Sequence, residues 1–235
     1  MIGQFPFSSA RSRAARLVCG ALVALAAAAV LAVAAASASV PSAPRPLPEH
    51  EPARGMFLIA SRELADPNFA ETVVLLLEYD SSGALGLIIN RPTEVRLARL
   101  LPDVEELANR EDVVYEGGPV ARRQVLLLLR SRAQPPDASR IFADTYVSSS
   151  LDTLRSLATG TLAGASFHAF VGYAGWAPGQ LDGEVARGDW HVVPADESAV
   201  FDRDAGDVWP QLIKDNAGQW VRDTRAPRRI ASARP

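Results

Sequence analysis

Two runs of consecutive apolar residues, close together in the chain, constrain its fold most strongly. ETVVLLLEYD (71–80) and ALGLIINRP (84–92) are rich in Val, Leu and Ile and are separated by Ser81-Ser82-Gly83. A polar turn that ends in glycine between two such runs predicts a β-hairpin. Because the apolar positions are consecutive rather than alternate, we expect both to be central strands that are covered on both faces.

Shorter patterns along the chain extend this hairpin into an α+β prediction. Further strands are predicted over residues 55–61, 112–119, 123–130, 140–148, 166–175 and 189–196. Helices are predicted after the capping residues Thr93 and Ser149 or Ser150, and over residues 179–188 and 207–218. Strands outnumber helices and regular βαβ alternation is absent, so the sequence predicts a mostly antiparallel sheet with a few helices over it.

The first forty of the 235 residues differ in composition from the rest. Three arginines between positions 11 and 16 precede an uncharged run over 17–36, and Ala36-Ser37-Ala38 follows. This order is typical of a secretory signal peptide, so residues 1–38 are predicted to be one and the protein to be exported to the periplasm. A run of about 20 apolar residues also suffices to span a bilayer. An inner-membrane anchor therefore stays open, as does a cytoplasmic protein whose start codon is mis-assigned.

Two segments without apolar periodicity flank the predicted domain at 55–220. Residues 39–54 are proline-rich and are predicted to be an extended linker, and residues 221–235 are predicted to be a disordered basic tail. The formal net charge of −3 is poor support for nucleic-acid binding, which requires a basic face. The single cysteine, Cys19, lies in the signal segment, so a cleaved protein would have neither a disulfide nor a thiolate nucleophile.

Sequence motifs for common chemistries are absent. The chain has no Walker loop, no dinucleotide-binding glycine fingerprint after a strand and no G-x-S-x-G elbow. Its three histidines, His50, His168 and His191, lack the spacing of a metal site. The sequence therefore predicts no catalytic residue, no metal and no cofactor.

One stretch, GYAGWAPGQLDGE (172–184), concentrates aromatic, glycine and acidic residues at the end of a predicted strand. Tyr173 and Trp176 could form the walls of a ligand cleft, and Gln180 and Glu184 lie four apart on one face of the following helix. In the alternative interpretation, Trp176 packs in the core while Gln180 and Glu184 hydrogen-bond a loop. Both interpretations stay open at this point.

Together with FLIASRELADPNF (57–69), GALGLIINRP (83–92), GGPV (117–120) and PAD (194–196), this stretch resembles the bacterial YqgE/AlgH family. The resemblance implies a barrel-like antiparallel core with flanking helices, and no established reaction. It also carries the family's association with transcriptional control of alginate production. The family's recurrent polar and glycine positions give the candidate ligand-binding residues Asn90, Gly117, Gly118, Pro119, Tyr173, Trp176, Gln180 and Glu184.

These observations lead to one leading prediction and two alternatives. The leading prediction is a non-enzymatic binding or regulatory domain that takes a small ligand or a protein partner in a cleft near residues 90–92, 117–119 and 172–176. The first alternative is a hydrolase in which Glu184 or Asp182 is a general base. The second is transcription-related nucleic-acid binding, which the acidic charge disfavours. Membrane contact is expected only through an uncleaved N-terminal segment. Tyr79 departs from the family, which usually has histidine there.

Overall fold

The computed structural model describes residues 50–222, with side chains through Asn216. The predicted signal segment, most of the linker and residues 223–235 of the tail lie outside the described residues. Strands of the described part are β1 (Met56–Ala60), β2 (Val73–Asp80), β3 (Gly83–Ile88), β4 (Pro92–Arg96), β5 (Val113–Glu116), β6 (Val120–Arg130), β7 (Ala138–Phe142), β8 (Thr145–Ser148), β9 (Ser166–Trp176) and β10 (Trp190–Pro194). Its helices are α1 (Leu97–Leu100), α2 (Leu151–Ala158), α3 (Gln180–Arg187), α4 (Glu197–Phe201) and α5 (Ala205–Arg222), with a 3-10 turn at Glu105–Leu107.

The strands form one curled sheet in the order β10-β1-β2-β3-β9-β6-β8-β7, with β4 and β5 attached beside β9. Strand pairs are antiparallel except β5 with β9, which is parallel. The predicted hairpin is β2–β3, in which Val74 pairs with Ile88. The predicted α+β class with a mostly antiparallel, barrel-like core is confirmed.

The two ends of the sheet approach each other through side-chain contacts. Arg54, just before β1, donates a hydrogen bond to the carbonyl of Arg140 in β7. Glu197, at the start of α4, accepts from the backbone N–H of Asp144 at 2.8 Å and from the hydroxyl of Thr145 at 3.1 Å. These contacts link the segments at the β1–β10 end to the β7–β8 turn. Because β10 and β7 do not pair with each other as strands in the described part of the chain, the curled sheet is a half-barrel and not a closed barrel.

Both faces of the central strands are buried. In β1, Leu58 belongs to a cluster that includes Leu181 of α3, whereas Phe57 points to the opposite face and is also fully buried. Phe57 pairs with Leu75 of β2, which shares its face and is likewise inaccessible. Helix α2 covers a neighbouring cluster around Leu127 of β6. Burial on both faces is the reason that these strands read as continuous apolar runs.

Two local predictions were wrong for identifiable reasons. Thr93 does not cap a helix but lies in β4, where its hydroxyl donates to the carbonyl of Val114 at 2.7 Å, and the helix begins only at Leu97. The predicted strand over 140–148 is two strands, because the chain turns at Ala143, whose φ is 37°.

The end of the domain also differs from expectation. Helix α4 was not predicted; it is capped by Asp196, whose carboxylate accepts from the N–H of Ser198 at 3.2 Å. Helix α5 continues beyond Gly218 to Arg222 and so includes the first two residues of the predicted tail. Among the described helices, none combines the length and apolarity needed to cross a membrane.

A close backbone crossing positions the two glycine-rich motifs against each other. A Cβ atom on Gly118 would lie 2.3 Å from the carbonyl carbon of Tyr173, and one on Gly172 would lie 2.4 Å from the carbonyl oxygen of Gly118. Gly117 donates to the carbonyl of Val171 and accepts from the N–H of Ile88, both at 2.9 Å. Any side chain at these positions would force the backbones apart, so the motifs are required by the fold.

Candidate functional site

The carboxylate of Glu184 is the centre of the contacts made by the stretch at 172–184. Its Oε2 atom accepts hydrogen bonds from the indole N–H groups of Trp176 at 2.8 Å and Trp190 at 2.9 Å. Its Oε1 atom accepts from the side-chain amide of Gln180 at 2.9 Å, and the carbonyl of that amide accepts from the N–H of Ala177 at 3.1 Å. Glu184 thus joins α3 to the end of β9 and the start of β10.

An aromatic cluster lies beneath this carboxylate. Phe69 stacks on Trp176 with ring centroids 6.0 Å apart and meets Trp190 edge-on at 5.6 Å. The two tryptophans themselves meet edge-on at 6.0 Å and are almost completely buried. Because a buried indole N–H needs an acceptor, Glu184 satisfies both rings at once.

Asn90 and Arg91 hold the loop that carries Phe69. The side-chain carbonyl of Asn90 accepts from the N–H of Val73 at 2.8 Å, and its amide donates to the carbonyl of Glu71 at 3.0 Å. Arg91 donates to the carbonyls of residues 67, 68 and 70 in the same loop. The NRP and DPNF motifs are therefore two halves of one loop anchor.

The structure separates the eight candidate residues into distinct places. Trp176, Gln180 and Glu184 come together, but their polar groups bond one another, which favours the interpretation that they support the core. Asn90 anchors a loop, and Gly117 and Gly118 form the backbone crossing. Of the eight, Tyr173 and Trp176 line an open cleft, and Pro119 is exposed just before it.

This cleft, which we call the hairpin cleft, lies between the β2–β3 hairpin and the end of β9 and has a volume of about 400 Å³. Glu78, Leu85 and Gly175 are register partners across β2, β3 and β9, so they share one face of the sheet. The ring of Tyr173 lies over Gly175, where a Cβ atom would be 3.5 Å from its Cε2 atom. A Cβ atom at position 175 would therefore make an ordinary van der Waals contact with this ring.

Charge and apolar surface are segregated within the hairpin cleft. At one end lie the carboxylates of Glu78 and Asp80, and at the other Val120, which is 39% exposed, and Tyr173. No lysine, arginine or histidine is present among the described lining residues. The carboxylate of Glu78 has no hydrogen bond or ion pair with another described residue, and that of Asp80 accepts only from the N–H of Ser82 at 2.6 Å.

Sequence reasoning missed the acidic end of the hairpin cleft. A register shift between Leu76 and Glu78 in β2 places Glu78 opposite Leu85, and simple alternation along the strand does not reveal that shift. The signal that could have found it was the pair of acids in EYD, which closes an otherwise apolar strand next to a turn.

Tyr79 and Asp182 make a second link between the hairpin and α3. The tyrosine hydroxyl donates to a carboxylate oxygen of Asp182. This hydrogen bond raises the pKa of Tyr79 to about 12, with further contributions from burial and from the negative charges of Asp182 and Glu51. Asp182, the other candidate general base, is thus a hydrogen-bond acceptor for the neighbouring strand. No group of three His, Cys, Asp or Glu residues suited to a metal ion occurs within the described part of the chain.

The fold and these contacts define a class, the curled α+β half-barrels with a mostly antiparallel sheet and helices packed on it. The AlgH-like family model (DUF179) matches residues 57–221. The chain therefore belongs to the YqgE/AlgH family, as the sequence motifs predicted.

Individual relatives agree with this assignment. A UPF0301 protein from Methylococcus capsulatus is 35% identical over 175 residues, covering 73% of this chain and 96% of that protein. One from Rhodococcus jostii is 37% identical over 164 residues, covering 68% and 81%. The solution structure of AlgH from Pseudomonas aeruginosa is similar with a TM-score of 0.58 at 30% identity, covering 77% of this chain and 94% of that one. The crystal structure of a protein from Corynebacterium diphtheriae is similar with a TM-score of 0.60 at 26% identity, covering 71% of this chain and 88% of that one.

We predict that the Tyr79–Asp182 bond makes stability depend on alkaline pH. Because the folded pKa of Tyr79 is raised above the value near 10 of an unfolded chain, the stabilisation is complete below pH of about 10 and is lost as the pH rises to about 12. Burial also raises the pKa of Tyr115, so the signal of Tyr79 is identified by difference: tyrosine absorbance should lose a component near pH 12 in Tyr79→Phe. In Asp182→Asn its midpoint should fall towards 10. A Tyr79 midpoint that does not change in Asp182→Asn would contradict the assignment.

Proposed function

We propose that the protein is a non-enzymatic binding domain of the AlgH type, and that the hairpin cleft is its binding surface. The observation that carries the proposal is the arrangement of two carboxylates, Glu78 and Asp80, beside an apolar floor with an aromatic wall. Polar groups that already bond one another cannot bind a ligand without losing those bonds, whereas Glu78 has no such competing contact with the described residues.

The chemistry of the hairpin cleft selects a partner with a basic group next to an apolar one. An ammonium or guanidinium group would lie against Glu78 and Asp80, and an apolar group would cover Leu85 and Val120. A short protein segment with adjacent leucine and arginine side chains has this composition, as do small amphipathic amines.

The hydrolase alternative lacks comparable support. Both oxygens of Glu184 accept hydrogen bonds from protein groups, and Asp182 accepts from Tyr79. A general base needs a lone pair directed at the proton that it removes, and the contacts of these two carboxylates compete with that role. Nucleic-acid binding is disfavoured as well, because an acidic cleft repels phosphates.

The sequence of the N-terminal segment supports an exported location for this binding domain. A positive region, an apolar run and Ala36-Ser37-Ala38 occur in the order of a secretory signal. We therefore propose that the partner is a component of the cell envelope, met in the periplasm or at the membrane face.

We predict that the protein binds acetyl-Leu-Arg-amide more tightly than acetyl-Leu-Gln-amide or acetyl-Leu-Glu-amide. Backbone NMR shifts should follow the hairpin cleft, at residues 78–85 and 173–177. Glu78→Gln and Asp80→Asn should each lower the affinity for the arginine peptide about 3-fold, which is the effect typical of losing an exposed ion pair. Added salt should lower this affinity further.

Glu94→Gln provides the matched control, since Glu94 is exposed on β4 and does not line the cleft. It should bind the arginine peptide like the wild type. Equal binding of the acidic peptide, or shifts that avoid the hairpin cleft, would show that the proposed surface is wrong.

The location is tested by N-terminal sequencing of the protein recovered from fractionated native cells. We expect a chain that starts near Ser39 in the soluble periplasmic fraction. A cytoplasmic chain that starts near Met56 would refute export. An intact chain in the membrane fraction would show that the N-terminal segment is an uncleaved membrane anchor, and it would contradict a soluble periplasmic location.

A further inference from the structure

A second cleft opens near the start of β9, at the opposite end of that strand from the hairpin cleft. It has a volume of about 560 Å³, within the range of small-molecule sites, and its lining includes Asn109, Arg110, Asp112, Tyr115 and His168. We call it the histidine cleft. None of the sequence motifs that identify the family contributes to the residues just named.

The charged groups of the histidine cleft neutralise each other. Arg110 binds Asp112 through two hydrogen bonds, Nε to Oδ2 at 2.5 Å and Nη2 to Oδ1 at 3.1 Å, and its Nη1 atom faces the carbonyl of Ala158 at 3.4 Å. Glu111 is paired with Arg96 at 2.8 Å. A charged ligand would have to break these pairs or remain unpaired in a partly buried cleft. Both outcomes make its binding less favourable.

Uncharged polar groups remain available at the floor. The rings of Tyr115 and His168 pack with centroids 4.7 Å apart, and Phe201 stacks on His168 with a centroid distance of 5.6 Å and an interplanar angle of 11°. The hydroxyl of Tyr115 and the amide of Asn109 have no hydrogen-bond partner among the described residues. Tyr115 can therefore donate to, or accept from, a ligand.

The imidazole of His168 is held neutral by its surroundings. Burial, the largest influence, lowers its pKa, while the backbone of Val200 and the charge of Asp112 act in the opposite direction. A neutral imidazole has one N–H donor and one acceptor nitrogen.

We propose that the histidine cleft binds a small uncharged molecule that carries an amide or amide-like group. The N–H of such a group would donate to the acceptor nitrogen of the neutral His168 ring, and its carbonyl would accept from the hydroxyl of Tyr115. An amide carries its hydrogen-bond donor and acceptor next to each other. It is also uncharged, which suits a cleft whose own charged groups are already paired. This ligand class is the opposite of the cationic partner proposed for the hairpin cleft, so the two sites are tested independently.

Benzamide, benzoate and benzamidinium test the proposal, because they share one shape and carry no charge, one negative charge and one positive charge. We expect benzamide to shift the NMR signals of Tyr115 and His168 with a dissociation constant of about 10 mM, as nine heavy atoms allow. Binding of benzoate and benzamidinium at these two residues should be at least about 10-fold weaker. Tyr115→Phe and His168→Phe should each lower the affinity for benzamide by a factor of at least about 3.

Tyr79→Phe is the matched control, since it removes a tyrosine hydroxyl outside the histidine cleft, and it should bind benzamide like the wild type. Melting temperatures of all variants report whether the fold is retained, and Tyr115→Phe preserves the ring that packs on His168. The proposal is overturned if either charged analogue binds these residues as tightly as benzamide. It is also overturned if benzamide gives no saturable shift there, or if both cleft variants bind it like the wild type.

Discussion

One carboxylate, that of Glu184, supports much of the architecture around it. It receives the indole N–H groups of Trp176 and Trp190, and through these rings it connects the end of β9 with the start of β10. These two strands lie far apart in the sheet order, so the link holds the curl of the half-barrel from the side of α3. Phe69 packs on the same rings and is carried by a loop that Asn90 and Arg91 anchor. The motifs at 57–69, 83–92 and 172–184 therefore contribute to one network, whereas PAD (194–196) caps α4.

Much of the fold could be predicted from the sequence, because burial on both faces makes β2, β3 and β6 read as continuous apolar runs. Local signals also located α2, where Ser150 accepts from the N–H of Thr153. The errors occurred where long-range contacts determine the secondary structure. Strand β4 forms because Thr93 bonds to β5. The chain turns at Ala143 with a positive φ, and no glycine at that position indicates the turn in the sequence. The site was predicted less well. Aromatic and acidic residues close in sequence suggested a ligand cleft, but only the fold shows that they bond one another.

Two surfaces remain for function: the hairpin cleft, which Tyr173 and Trp176 of the motifs line, and the histidine cleft, whose lining lies outside the motifs. The hairpin cleft and the histidine cleft flank opposite ends of β9 and differ in chemistry. The first presents carboxylates without a basic neighbour in its lining, whereas the charges of the second are paired and leave neutral donors and acceptors at its floor. The two clefts proposed as recognition surfaces therefore call for ligands of different chemistry.

The most direct test of this structural role is the free energy of unfolding of Glu184→Gln, measured by urea denaturation. The amide keeps the size of the side chain but replaces a charged acceptor of two buried indole N–H groups with a neutral group that can also donate. We expect a loss of about 2–4 kcal/mol, against less than about 0.5 kcal/mol for Glu105→Gln on the exposed 3-10 turn. A Glu184→Gln protein as stable as the wild type would contradict the central role of this carboxylate in the fold and would return it to the candidates for ligand binding.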